Sequence, residues 1–192
     1  MDMDSWENIE NPIDRSRNPG IRRNMEGIIR LRVLEPEDAM TLFLWDNAPE
    51  LRDAQESNTP PTLMELQAFC LEGPRALEVH GQQRWIIDLN GKSIGTVELF
   101  DYHPQHQRAG IGIIIAHPDH RNQGWGTRVL LETESLAQTF SIYNLWAIIS
   151  EDNGASLRAF EKAGYEKAGH LKNWLNLRGH FFDGILVQKT FA

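Results

Sequence analysis

Between Ala109 and Ala116 the chain reads Ala-Gly-Ile-Gly-Ile-Ile-Ile-Ala, eight residues without one polar side chain. It then passes through Arg121-Asn122-Gln123-Gly124-Trp125-Gly126 into an amphipathic stretch. An apolar run of this length fits a strand buried on both faces. It is far below the roughly 20 residues that a membrane span requires. A fully buried strand that turns through glycines into a helix restricts the chain to sheets with helices packed on their faces.

The flanking sequence gives the rest of the order. Ile28 to Leu34 alternates as a first strand, and Pro36 suits the first turn of a helix that carries Ala39, Leu42, Phe43 and Leu44 to about Asn47. A second helix follows Pro60-Pro61, with Leu63, Leu66, Phe69 and Cys70 at helical spacing. Trp85–Leu89 and Ser93–Phe100 flank Asn90-Gly91, a strong hairpin signal. A helix over about 124–140, a strand from Tyr143 to Ser150, a helix from Asn153 to about Ala163 and a closing pair of strands within 165–191 complete it. The expected fold class is mixed α/β, one sheet with helices on both sides, in a domain spanning 28–192. Residues 1–27, rich in Asn, Asp, Arg and Pro, are expected to form an N-terminal extension.

Charge narrows the partners. The formal net charge of −8 argues against a general affinity for nucleic acid. From Glu35 to Glu78 there are ten acidic residues against Arg52 and Arg75, so that segment alone accounts for the whole of it. Either these acids are solvated helix faces, or they form a recognition surface for a cationic substrate. The single cysteine, Cys70, cannot form an internal disulfide, and the start Met1-Asp2-Met3-Asp4 has no secretory pattern. A cytoplasmic protein with no membrane partner is the expectation.

The glycines of the 121–126 run carry the chemistry. They allow a tight turn and close backbone approach just where the unpaired N–H groups and positive dipole end of a helix begin, which is either a plain tight turn or a cradle for a pyrophosphate. In this setting the sequence resembles the GNAT acetyltransferase superfamily, whose acetyl-CoA motif reads Arg/Gln-x-x-Gly-x-Gly/Ala at a strand-to-helix junction. The resemblance runs over about 28–190. It includes the later helix with Asn153 and Ser156 that ends Phe160-Glu161-Lys162-Ala163-Gly164-Tyr165. Gly95 to Leu99, His106 to Ala109 and Ile113 to Ile115 are most similar to the bacterial spermidine/spermine branch and to ribosomal-protein N-terminal acetyltransferases. The resemblance implies the GNAT acyl-CoA N-acyltransferase fold, with a mostly antiparallel central sheet.

It implies residue roles as well. Acetyl-CoA, a co-substrate, would lay its pantetheine arm along the backbone of Ile113, Ile114 and Ile115. Its phosphates would rest on the amides of Asn122, Gln123, Gly124, Trp125 and Gly126, with Arg121 either a charge partner or solvated. Asn153 is either an N-cap or a pantetheine contact. Many relatives carry a tyrosine where this chain has Phe160, so the general acid for the departing thiolate, ordinarily worth about 10²- to 10⁴-fold, is missing. Ser156, on the same helix face, would donate directly, hold a water, or serve only in capping and packing. Glu98 is the expected base, a carboxylate among apolar neighbours, or else a residue that orients substrate.

No metal site is expected. The two His-Pro-x-His runs, His103–His106 and His117–His120, bracket a strand and so stand about 30 Å apart. The expected function is acetyl transfer from acetyl-CoA to a primary amine, a small cationic amine or polyamine. Acetylation of a protein N-terminus and a non-catalytic acyl-CoA-binding module are the alternatives. A homo-oligomer, dimer or larger, is compatible with any of these.

Overall fold

The computed structural model describes residues 27–51, 59–73, 76–177 and 179–191. The expected extension therefore lies outside the described residues except for Gly27. Seven strands form one sheet: β1 (Ile29–Val33), β2 (Gln83–Leu89), β3 (Lys92–His103), β4 (Arg108–Ile115), β5 (Asn144–Ser150), β6 (Glu166–Leu177) and β7 (His180–Thr190). Their order is β1-β2-β3-β4-β5-β7-β6, and every neighbouring pair is antiparallel except β4 with β5. The helices are α1 (Asp38–Asp46), α2 (Leu63–Cys70), α3 (Ala76–His80), α4 (Trp125–Thr139) and α5 (Gly154–Lys162).

Two cores divide the helices between the sheet's faces. On one face Leu34, Ala39, Leu42, Leu66 and Cys70 from the α1 and α2 region close over Ile86. On the other, a larger cluster joins Trp85, Ile87, Val97, Leu99 and Ile111 of the sheet to Val129 and Leu130 of α4 and Phe160 of α5. Strand alternation explains the division, since successive side chains of β2 and β3 point to opposite faces. The mixed sheet with helices on both sides is the architecture expected from the sequence.

Local signals act as their chemistry requires. Asn90 and Gly91 both adopt positive φ (54° and 83°), which is what a two-residue turn between twisted strands needs. Thr62 and Glu65 start α2 with reciprocal hydrogen bonds: the Glu65 amide donates to the Thr62 hydroxyl, and the Thr62 amide donates to Glu65 Oε2 at 2.7 Å. The short α3 was not expected; five residues carry too little periodicity to announce a helix. Each His-Pro-x-His run forms a 3-10 turn, one at either end of β4.

The strand that most constrained the fold departs from expectation in its second half. Ala109, Gly110 and Ile111 are buried, as a strand covered on both faces should be, but Gly112 to Ile115 are half-exposed. The cause is topological. β4 pairs with β5 only through Arg108↔Asn144, Ala109↔Leu145 and Gly110↔Trp146, after which no pairing between them remains. The two parallel strands splay, and the β5-facing backbone edge of Ile111–Ile115 is left without a strand partner. Phe100 seals the base of the split. Its ring fills the space beside Gly110, where an added Cβ would come within 2.4 Å of it, and it meets Trp146 edge-on at 5.4 Å.

Candidate active site

The row of residues that crosses the sheet at the split is Arg84, Glu98 and Gly112, cross-strand partners on β2, β3 and β4 that share one face. Arg84 Nε and Nη2 donate to Glu98 Oε2 at 3.3 and 3.1 Å. Arg84 Nη1 donates to Asp46 Oδ2, at the end of α1, at 2.9 Å. Burial works against the Arg84 charge, but the two carboxylates more than offset it and raise its pKa. The guanidinium also lies over the Phe69 ring, 5.7 Å from its centre. The apolar surroundings expected for Glu98 are thus corrected: a guanidinium holds one of its oxygens, because strand register brings Arg84 directly opposite.

Around this row opens a cavity of about 630 Å³. Asp46, Glu65, Arg84 and Glu98 line one side, and Phe100, Gly112 and Ile148 the other. Among the described residues the lining holds three carboxylates and one guanidinium, a formal excess of two negative charges. A Cβ at Gly112 would touch only Phe100 Cε1, at 3.9 Å, which means the space over this residue belongs to the cavity. The acidic segment 35–78 therefore acts neither as one solvated face nor as one surface. Asp38 is bound by Arg32 through two hydrogen bonds of 2.7 and 2.9 Å, Asp46 and Glu65 turn into the cavity, and Glu35, Glu50 and Glu72 are exposed. Asp53 and Glu56 lie outside the described residues.

The glycine-rich run lies at the β4 end of the split. Gly124 is the N-cap of α4 at φ 89°, a conformation that glycine adopts without strain, and no side chain caps this end of the helix. The amides of its first turn thus have no side-chain cap. Asn122 also has positive φ (59°), and the Gln123 side chain donates to the Asp119 carbonyl. Arg121 is neither solvated nor free. Its Nε donates to the Ile115 carbonyl at 2.9 Å and its Nη2 to the Ala116 carbonyl at 2.7 Å, so the guanidinium braces the turn against the end of β4. Trp125 contributes a helix amide, but its indole is 5% exposed and packs into the large core. Gly126 faces Ala159 across the contact of α4 with α5.

On α5, Asn153 is the N-cap: its Oδ1 accepts from the Ser156 amide at 3.0 Å. Ser156 is half-buried on the next turn. Phe160 is 2% exposed and packs edge-on against Tyr165, with ring centres 4.9 Å apart, so its place is in the core. Tyr165, which sequence reasoning passed over, is 4% exposed, and its hydroxyl has no hydrogen-bond partner among the described residues. Burial pushes its phenol above the usual range, with the Glu134 charge adding to the effect. Arg84, Asp46 and Gly112 were also missed. Alternation along β2 marks Arg84 as sharing a face with Ile86, but nothing in its own segment announces Glu98 as its partner.

These features are matched in known proteins. Residues 29–166 match the acetyltransferase (GNAT) domain family. The chain is 23% identical to the spermidine N(1)-acetyltransferase of Escherichia coli K12 over 158 residues, 82% of this chain and 83% of that protein. Among solved structures it is similar to spermidine N-acetyltransferase from Vibrio cholerae in complex with CoA and spermine (TM-score 0.75, 20% identity, 84% of this chain and 95% of that one). It is also similar to Mycobacterium smegmatis RimJ in complex with CoA-disulfide (TM-score 0.73, 22% identity, 85% and 82%). No helix among the described residues is long and apolar enough to cross a membrane. A split parallel pair, a glycine-capped helix at its end and a family match over most of the chain lead to one assignment: this chain belongs to the GNAT acetyltransferase family.

Proposed function

We propose that this acetyltransferase moves the acetyl group of acetyl-CoA onto a primary amine of a small molecule that carries further positive charge, a linear polyamine. The observation that carries the reading is the lining of the cavity, which among the described residues brings the carboxylates of Asp46, Glu65 and Glu98 together with the Arg84 guanidinium. The names of the relatives support it: the Escherichia coli protein is a spermidine acetyltransferase, and the Vibrio cholerae structure holds CoA and spermine. The unpaired edge of Ile113, Ile114 and Ile115 suits an extended pantetheine arm, and the amides of Asn122 to Gly126 suit its phosphates.

In this reading the acceptor nitrogen attacks the thioester carbon, the C–N bond forms, and the C–S bond breaks with departure of the thiolate. Glu98 takes the proton from the acceptor on Oε1, the oxygen that Arg84 does not hold. Backbone amides of the β4 edge stabilise the oxyanion. Ser156 lies one turn before Phe160 and helps the thiolate leave. A thiol of pKa about 8.5 departs tolerably well unaided, so Phe160 does not preclude turnover.

The test is a panel of amines with acetyl-CoA, read by thiol release and by mass spectrometry of the products. Spermidine and other polyamines should be acetylated in preference to peptides with free N-termini. Glu98→Gln should lower kcat/KM by about 10²-fold or more, most severely at low pH, where free amine is scarcest. Acetylation of peptide N-termini alone would replace this reading with the N-terminal one. CoA binding without turnover of any amine would favour a binding module.

A further inference from the structure

Ile148, which lines the cavity, borders the β6–β7 pair. Gly184 of β7 is the cross-strand partner of Ser150 in β5 and of Leu171 in β6. A Cβ built on it would lie 2.8 Å from Ile148 Cγ2 and 3.4 Å from both Cβ and Cδ1 of Trp174. Ile148 and Trp174 therefore flank one glycine from opposite sides, on the sheet face that bears the cavity. Trp174 is 57% exposed, an unusual state for the largest apolar side chain when it is not part of a core.

Its position is built by the backbone. Pairing of β6 with β7 slips between Leu171↔Gly184 and Leu175↔Phe182, so Lys172, Asn173 and Trp174 together stand opposite Asp183. Asn173 adopts φ 51°. The Asp183 carboxylate pins the bulge from both of its oxygens: Oδ1 accepts the Asn173 amide at 2.7 Å, and Oδ2 lies 2.7 Å from His170 Nε2. Bulges beside active sites re-aim side chains, and this one sets an indole over Gly184, next to the cavity.

Resting on the polyamine reading above, we propose that Trp174 forms a distal subsite, where its exposed indole takes a second ammonium group of the acceptor while the reacting amine sits at Glu98. Tryptophan is the best aromatic partner for a cation, and its flat face also accepts a methylene chain. Glu98 on β3 and Gly184 on β7 are three strand intervals apart, one of them widened by the split between β4 and β5, so their Cα positions stand more than about 15 Å apart. The reach of the carboxylate and indole side chains shortens the gap between the two amine positions to one that a linear polyamine bridges and a short monoamine does not. The subsite thus selects for charge spacing, whereas the carboxylates at the other end select for charge itself.

Steady-state kinetics with spermidine and with butylamine, at saturating acetyl-CoA, test this in the wild type and in Trp174→Ala, Trp174→Phe and Gly184→Ala. The ratio of kcat/KM for spermidine to that for butylamine should fall about three- to tenfold in Trp174→Ala, through spermidine KM. Trp174→Phe should retain most of the ratio, and so should Gly184→Ala, whose Cβ crowds Ile148 at 2.8 Å but meets the indole only in ordinary contact at 3.4 Å. Calorimetry with CoA checks that each variant is folded. An unchanged ratio in a Trp174→Ala protein that still acetylates spermidine would overturn the subsite and leave the polyamine reading standing. The same holds if both substrates decline equally in the alanine and phenylalanine variants. A wild-type enzyme that acetylates no polyamine would overturn the reading itself.

Discussion

Arg84 holds Glu98 by one oxygen and Asp46 by another, so a single guanidinium joins the middle of the sheet to the end of α1 beside the cavity. The side chains of Arg84, Asp46 and Glu98 are 19%, 8% and 21% exposed, so this is a mostly buried cluster with more negative than positive charge. Removing the guanidinium takes away the cation that joins two partly desolvated carboxylates. Arg84→Met should therefore cost about 3 kcal/mol in urea unfolding. Arg84→Lys should cost less but still be destabilising, because an ammonium cannot span both carboxylates as a planar fork does. A methionine variant as stable as the wild type would mean that the cluster is worth no more than an apolar filling.

Gly112 offers a way to close the acceptor cavity without disturbing the rest. It lies on a strand in ordinary extended geometry, its Cβ would meet nothing nearer than Phe100 Cε1 at 3.9 Å, and β-branched residues suit strands. Gly112→Val should raise acceptor KM about tenfold or more, with CoA affinity by calorimetry and the unfolding midpoint both close to wild type. Equal losses of acceptor and CoA binding would show that the two do not enter from different sides of β4.

At the helix N-terminus, Gly124→Asp should weaken acetyl-CoA binding at least about tenfold, since a carboxylate is set where the phosphates are expected. Gly124 has φ 89°, so any side chain there also strains the backbone. Gly124→Ala isolates that strain and should cost about 1 kcal/mol of stability, with a smaller loss of affinity. Equal affinities for the aspartate and alanine variants would remove the electrostatic argument for this loop.

Asp38 supplies a pH dependence whose direction is fixed. Burial pushes its carboxyl up, but hydrogen bonds from Arg32 and from the Glu35 amide, with the Arg32 charge, outweigh burial and hold it below its usual value. A carboxyl depressed in the folded state stabilises the fold above the unfolded value near 3.9, and that contribution is lost as pH falls through the folded value. Urea unfolding should show wild-type stability declining from about pH 5 downward, with a shallower decline in Asp38→Asn. At neutral pH the variant should be about 2 kcal/mol less stable, because it leaves Arg32 without its buried partner. Parallel pH profiles for the two proteins would assign the acid sensitivity to other carboxylates.

Much of the architecture can be read from short-range chemistry. Asn90-Gly91 sets a hairpin because both residues tolerate positive φ, and the apolar run from Ala109 makes a strand of the sheet because no side chain in it bonds to water. Gly124, at φ 89°, marks the start of α4 for the same local reason. Thr62 and Glu65 carried a capping signal that was equally legible and was not used.

The site itself depended on long-range geometry. Counting back from Asn90-Gly91 without interruption sets Arg84 opposite Val97, on the wrong face; a register shift between Ile87 and Asp88 moves it to Glu98. A one-residue slip exchanges the two faces of a strand, and no local propensity announces where the slip falls. The same holds for the bulge that carries Trp174 to Gly184, and for the divergence of β4 from β5 that exposes the second half of a strand whose side chains promise full burial. Ile113, Ile114 and Ile115 look alike in sequence to Ala109, Gly110 and Ile111. The sequence by itself determined which segments are strands and helices and where a phosphate would be cradled, because those follow from each residue's own backbone and its immediate neighbours. Tertiary structure alone decided which charges meet, which glycines open onto the cavity and which indole stands beside it, because each depends on pairing between residues far apart in the chain.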